Sequence, residues 1–258
     1  MDIRLLGAVD IRKNGTSVVP SAPKPRQLLI LLAMRRGRPV DIATIVDELW
    51  GDRVPRSAAS TLQTYVMQLR HAISRTLADE RKETAKSLLV TCHGAYMLNP
   101  GDGFSDVVEF EDLLSSGNKY FDCGDYSAAA RDLDRALDLW RGSPLMGVQH
   151  GDSLALDVVA LEEARLQALE RRGTAYLHLG RNSQLIRELR RLVREQPMHE
   201  TFSFQLMVAL HRSGNTWRAV EEYSRLRHTL AEELGINPSP RLRRLHQAIL
   251  SDGRVPVP

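Results

Sequence analysis

The stretches GRNSQLIRELRRL (180–192) and GNTWRAVEEYSRL (214–226) begin 34 residues apart, and this spacing limits the C-terminal half to very few folds. In register, Leu185 matches Ala219, Ile186 matches Val220, Glu188 matches Glu222, Arg191 matches Arg225 and Leu192 matches Leu226. GDYSAAARDLDRA (124–136) fits the same frame through Ala129, Ala130, Asp132, Leu133 and Arg135. A period of about 34 residues is that of tetratricopeptide arrays, in which each unit is a helical hairpin that buries its apolar side against its neighbours. Small residues at the shared positions let paired helices approach closely. Each glycine ends one helix before the next begins, and Pro197 follows a helix end. Residues 104–258 are therefore expected to be all-α.

Upstream of NPGDGFSD (99–106) the pattern is different, with short strand-like and helix-like pieces alternating. IRLLG and VDIRKNGTSVV open the chain, with Asn14-Gly15 as a tight hairpin turn. A helix with Pro25 in its first turn then runs to Arg36 and stops at Gly37. Asp41 is placed to cap IATIVDELW, whose Ile42, Ile45, Val46 and Leu49 share a face, and Gly51 ends it. After GDRVPR, Ser57 is the expected cap of a third helix. LLVTCHGAYML then reads as two strands about a glycine turn. Strands, three helices and a hairpin, in that order, make a winged helix-turn-helix. The overall expectation is a mainly α chain, with an α+β winged helix over 1–99 and an all-α tetratricopeptide-like domain over 104–258.

The third helix, SAASTLQTYVMQLRHAIS (57–74), carries an apolar stripe of Leu62, Val66, Leu69 and Ile73, with Tyr65 and Ala72 on its margin. Its other face holds Ser60, Gln63, Thr64, Met67, Gln68 and His71, and no Asp or Glu occurs from Arg53 to Ala78. In winged helices the third helix enters the major groove of DNA and the hairpin reaches the neighbouring backbone or minor groove. A helix between two phosphate chains cannot present carboxylates, and short side chains let its axis approach the bases. Ser60, Gln63, Thr64 and Gln68 are therefore the candidate base readers, since Gln can pair bidentately with adenine. Lys24, Arg26, Arg53, Arg56, Thr61 and Arg70 are the candidate phosphate contacts, assisted by helix N-terminal amides.

Charge agrees with that division. Residues 1–100 carry 15 Lys and Arg against 9 Asp and Glu, whereas the remainder carries 20 against 23. The basic half is the one expected to meet a polyanion. The longest apolar run, LLILLAM, is too short to span a bilayer, and no signal peptide is recognisable. Two cysteines, Cys92 and Cys123, cannot build a disulfide framework, so a reduced cytoplasmic protein is expected, and its DNA binding would place it at the nucleoid. No catalytic, metal or cofactor pattern emerges. His199-Glu200 lacks the second histidine of a zinc helix, and neither a GxSxG elbow nor a GxxxxGK[ST] loop is present. An enzyme is not expected.

APKPRQLLILLAMRRGRPVDIATIVDELWGDRVPRSAASTLQTYVMQLRHAI (22–73) resembles the DNA-binding domain of the SARP regulators (Streptomyces antibiotic regulatory proteins), which is related to that of OmpR-type response regulators. Leu49-Trp50-Gly51-Asp52, then Pro55, Thr61 to Val66 and Leu69-Arg70 carry the likeness. GDYSAAARDLDRALDLWRGSPL and YSRLRHTLAEELGINPSPRLRRLHQAIL resemble the bacterial transcriptional activator domain that follows it in that family, so the likeness spans nearly the whole chain. In the wing, formed here by His93, Gly94 and Tyr96, Cys92 stands where the family usually has a basic residue, leaving His93 and Lys86 as the nearby basic groups.

The resemblance implies an activator of an antibiotic or other secondary-metabolite gene cluster. It implies tandem direct repeats of double-stranded DNA near a promoter −35 region, bound by two copies of the chain. It also implies RNA polymerase as a partner, through its sigma factor, alpha C-terminal domain or beta flap. Trp50, Gly51, Asp52, Arg53, Val54 and Pro55 are then the candidate polymerase contact, with core packing an alternative role for Trp50. A helical-repeat scaffold without DNA readout, or a ligand-responsive sensor, are the alternative functions.

Overall fold

The structure, a computed structural model, describes residues 1–77 and 84–251. The chain forms two compact units, Met1–Asp112 with Asp138–Arg165, and Leu113–Leu137 with Leu166 onward.

The first unit opens with an antiparallel sheet of β1 (Asp2–Arg4), β2 (Asp10–Lys13) and β3 (Thr16–Ser17) in that order. Asn14 and Gly15 turn β2 into β3 with φ of 51° and 77°, the two left-handed residues that a type I′ hairpin requires. Helix α1 (Pro23–Met34) has proline in its first turn and is buried on all sides from Leu28 to Ala33, which makes it the centre of this unit. Strand β4 (Val40–Asp41) leads into α2 (Ile42–Trp50). Asp41 caps α2 by accepting from the Thr44 amide at 2.8 Å and from its hydroxyl at 2.8 Å, which holds the Asp41 carboxyl below the usual carboxylate range. On α2, Ile45 and Leu49 are buried as expected, but Ile42 is exposed and Glu48 takes the inward place.

Helix α3 (Ala58–Ser74) buries Leu62, Val66, Leu69 and Ile73, the stripe read from its spacing. Ser57 occupies its cap position without a capping bond from its side chain. The single-turn α4 (Ala85–Leu88), closed by a Thr84–Ser87 capping box, precedes β5 (Leu89–Cys92) and β6 (Ala95–Leu98). These strands form the expected hairpin, and β4 pairs with β6 through Val40 and Tyr96 to give a sheet ordered β4-β6-β5.

Helix α5 (Asp106–Asp122) and helix α7 (Asp152–His178) contribute residues to both units. Asp106, at the start of α5, is buried. Its carboxylate accepts from the amides of Leu5 at 2.8 Å and Leu6 at 3.0 Å and pairs with Arg141 at 3.1 Å. Arg35 pairs with Asp157 of α7 at 2.7 Å.

In the second unit, α6 (Tyr126–Asp138), α8 (Asn182–Glu195), α9 (Glu200–Arg212), α10 (Thr216–Leu234) and α11 (Pro240–Leu250) join parts of α5 and α7. Gly124, Gly180 and Gly214 end α5, α7 and α9 with φ between 70° and 80°, as the repeat register requires. Repeat-equivalent Ala129, Leu185 and Ala219 are all buried, as are Leu133, Leu189 and Tyr223. The acid shared by the three repeats binds back, in each case, to the first helix of its own hairpin. Asp132 accepts from the Ser116 hydroxyl at 2.7 Å, Glu188 pairs with Arg172, and Glu222 accepts from the Ser203 hydroxyl at 2.8 Å.

Candidate nucleic-acid interface

Because α3 is anchored by its leucine and valine stripe, its remaining side chains have one exit. Ser60, Gln63, Thr64, Met67, Gln68 and His71 are all exposed, and Met67 is the most open large apolar side chain of the helix at 69%. Ser60 donates to the Ser57 carbonyl and Thr64 to the Ser60 carbonyl, each at 3.0 Å. Their hydroxyl protons are thus directed to the helix backbone, and their lone pairs remain for an incoming donor. Gln63 and Gln68 have no hydrogen-bond partner for their amides among the described residues, so both can donate and accept. Spacing alone puts Met67 on this face without giving it a role. Its thioether chain supplies an apolar surface of the kind that contacts a thymine methyl.

The expected phosphate contacts divide into two groups. Arg53 and Arg56 are exposed, with no side-chain partner among the described residues. Lys24 instead donates to the Leu49 carbonyl at the end of α2 and to Gln27 at 3.4 Å. Arg26 donates to the carbonyls of Pro20 at 3.0 Å and Ser21 at 2.9 Å, bracing the segment that enters α1. Arg70 reaches the Leu89 carbonyl at 2.7 Å and the Thr91 hydroxyl at 2.8 Å, which fastens β5 to α3. Thr61 is half-buried and its hydroxyl donates to Ser57 Oγ at 3.4 Å.

At the hairpin tip, His93 and Gly94 are exposed, and Gly94 has a φ of 70°, which closes the turn. Tyr96 behaves differently: it is 7% exposed and lies in β6 opposite Val40 and Thr91, so it packs the sheet. Between α2 and α3, Gly51 adopts φ 52° and ψ −130°, a combination reserved for glycine. Asp52, Arg53 and Val54 are exposed, and Pro55 is half-buried. Trp50 is half-buried and stacks on Tyr65 with ring centroids 6.2 Å apart, tying the loop to α3.

A further cluster supports this region. Glu48, only 3% exposed, accepts from Gln27 Nε2 at 2.8 Å, from the Gly151 amide at 2.7 Å and from the Leu154 amide at 3.1 Å. A carboxylate from α2 therefore caps the N-terminus of α7, where amides and the helix dipole favour negative charge. Asn14 in the first hairpin turn likewise donates to the Thr76 carbonyl just beyond α3, at 3.1 Å.

A three-helix core, a three-stranded wing and an exposed carboxylate-free third helix define the class: a winged-helix transcriptional regulator. Comparison with known proteins agrees. Residues 16–93 match the family described as "Transcriptional regulatory protein, C terminal" and residues 105–250 match "Bacterial transcriptional activator domain". The chain is 44% identical to Regulatory protein DnrI of Streptomyces peucetius over 97% of this chain and 92% of that one. It is 34% identical to Transcriptional regulator RedD of Streptomyces coelicolor over 99% of this chain and 72% of that one. A structure of Mycobacterium tuberculosis EmbR, solved in complex with a low-affinity phosphopeptide, superposes with a TM-score of 0.89 at 30% identity, covering 99% of this chain and 66% of that one. The chain belongs to the SARP family of transcriptional regulators, with an OmpR-type winged helix followed by a bacterial transcriptional activator domain.

Proposed function

We propose that this regulator activates genes of a secondary-metabolite cluster by reading direct repeats near the promoter −35 region and recruiting RNA polymerase. The observation that carries the reading is the exposed face of α3, where Ser60, Gln63, Thr64 and Gln68 stand together with no acid between Arg53 and Leu77. Gln63 and Gln68 present amides suited to adenine, Ser60 and Thr64 present acceptors suited to base amino groups, and Met67 suits a thymine methyl. Arg53 and Arg56 supply exposed charge for the flanking phosphates, and the His93–Gly94 tip serves the adjacent backbone. Lys24, Arg26 and Arg70 act on DNA chiefly by fixing α1, α2 and the wing, each keeping its positive charge near the interface.

Two copies occupy tandem half-sites on one duplex, each reading its own repeat. The loop from Trp50 to Pro55, with exposed Val54 and Arg53, is the polymerase-facing surface, and its partners are the sigma factor, alpha C-terminal domain and beta flap. The protein works in the cytoplasm, at the nucleoid, and performs no catalysis. Selection of binding sites from a randomised duplex pool, followed by run-off transcription from a promoter carrying the selected site, tests the whole proposal. Enrichment of same-orientation repeats and transcription that depends on the protein are expected. Inverted repeats, no enrichment, or bound promoters that stay silent with polymerase present would overturn it.

A further inference from the structure

The second unit carries a groove of about 640 Å³ between α8 and α10, the second helices of consecutive hairpins. Its floor is apolar, made by Val193 of α8 with Leu206 and Leu210 of α9. Its walls are arginines: Arg190 and Arg194 on α8, and Arg218 and Arg225 on α10. Of the four, Arg225 alone is neutralised among the described residues. It grips Glu222 through Nη2 at 2.6 Å to each carboxylate oxygen, and Glu222 is itself buried and held by the Ser203 hydroxyl. Arg190 and Arg194 are exposed, with no side-chain partner among the described residues. Arg218, also exposed, only overlies the ring of Trp217 at 5.0 Å.

We infer that this groove docks an acidic segment of a partner protein, one that places a leucine-like side chain among carboxylates. Guanidinium groups on two facing helices suit carboxylates, because each planar fork can donate two parallel hydrogen bonds to one acid. The groove's volume is that of a site for a few side chains, and the edges of Val193, Leu206 and Leu210, otherwise packed in the core of the hairpins, give one apolar group a place to rest. A nucleic-acid backbone fits less well. Glu221 stands on the same rim and would repel a continuous row of phosphates, and a phosphate backbone has nothing apolar to set against Leu206 and Leu210. The half of the chain after residue 100 carries 20 basic against 23 acidic residues, so it lacks the long-range field of a DNA surface. The arginines are thus a local feature on an otherwise acidic half.

The test uses the full chain and fluorescein-labelled nonapeptides of alternating Glu-Glu and Leu character, with a version in which serine replaces leucine, a version in which lysine replaces glutamate, and a short duplex. Anisotropy should show binding of the acidic leucine peptide and none of the lysine version. The Arg190→Glu and Arg194→Glu double variant should raise its Kd by at least about tenfold, and Arg218→Glu on the opposite wall should weaken it independently. Both changes lie at exposed positions, and an unchanged circular dichroism spectrum checks the fold. Duplex affinity should be unaffected by either variant. Three results would overturn the assignment: peptide affinity unchanged in both variants, equal binding of the serine version, or a parallel loss of duplex affinity, which would assign these arginines to DNA.

Discussion

Replacing Glu48 by alanine removes the acceptor shared by Gln27 Nε2, the Gly151 amide and the Leu154 amide. The Leu154 amide then becomes unsatisfied in the interior and the half-buried Gly151 amide loses its protein partner, whereas Gln27 Nε2 keeps the Glu48 backbone carbonyl at 2.7 Å. Hydrogen bonds to a charged acceptor contribute about 1.5–3 kcal/mol each, and such losses within one network are not additive. Two such bonds are lost outright, and relief from burying a carboxylate offsets part of the sum, so a net loss of about 2–4 kcal/mol is expected. Glu48→Gln keeps an acceptor oxygen for one donor but turns an NH2 toward another, so it should cost about half as much. Gly151→Ala strikes the same contact from the other side, since a Cβ there would lie 2.3 Å from the Glu48 carbonyl oxygen. Urea unfolding followed by tryptophan fluorescence is a suitable assay, because Trp50 and Trp140 both belong to the first unit. The two units need not unfold together, and Trp217 reports on the second, so a Trp217→Phe background isolates the transition to fit. A Glu48→Ala loss below about 1 kcal/mol would refute the view that this carboxylate caps α7.

Gln68→Ala should weaken the selected site by about 1–3 kcal/mol and flatten its preference at one base pair, measured against single-base variants of the site. Unchanged relative affinities would remove Gln68 from the readout. Arg56→Ala should weaken all duplexes alike and reduce the slope of log K against log salt by about one, a signature that base readers do not share. Tyr176 is buried, and its hydroxyl donates to Asp134 at 2.8 Å; burial first, and then that carboxylate, push its pKa from 10.0 to about 12. The folded state thus holds this proton more tightly than the unfolded chain. Its contribution to stability is complete below pH 10 and is lost as pH rises toward about 12. Urea midpoints of Tyr176→Phe should therefore fall less between about pH 9 and 11 than those of the unsubstituted protein, and an identical fall would contradict the sign.

Local pattern revealed whatever depends on local periodicity. The apolar stripe of α3, the Asp41 cap, the Asn14-Gly15 turn and the 34-residue repeat each follow from residues close in the chain, and each stands where expected. Burial of Glu48 was not legible, because spacing alone favours Ile42 on that face, and the donors that make a buried carboxylate tolerable come from α1 and the start of α7. The two-residue β4 is too short for an alternation signal and exists only through its pairing with β6. The same limit governs the basic residues. Composition marks Lys24, Arg26 and Arg70 as cations, but which carbonyl each one meets is decided by the packing of α1, α2 and β5. Arg53 and Arg56, on a loop where no side-chain partner stands among the described residues, remain as the sequence describes them. A change of pattern near residue 100 likewise carries no sign that Asp138–Arg165 packs with the first unit.

The central claim is that α3 reads a DNA sequence. It is tested most directly by anisotropy of the purified chain on a selected duplex and on its scrambled counterpart, across a salt series. Tight binding to the selected duplex alone is predicted, weakening linearly in log salt with a slope near about −0.9 per phosphate contact. Equal affinity for both duplexes at every salt concentration would contradict it.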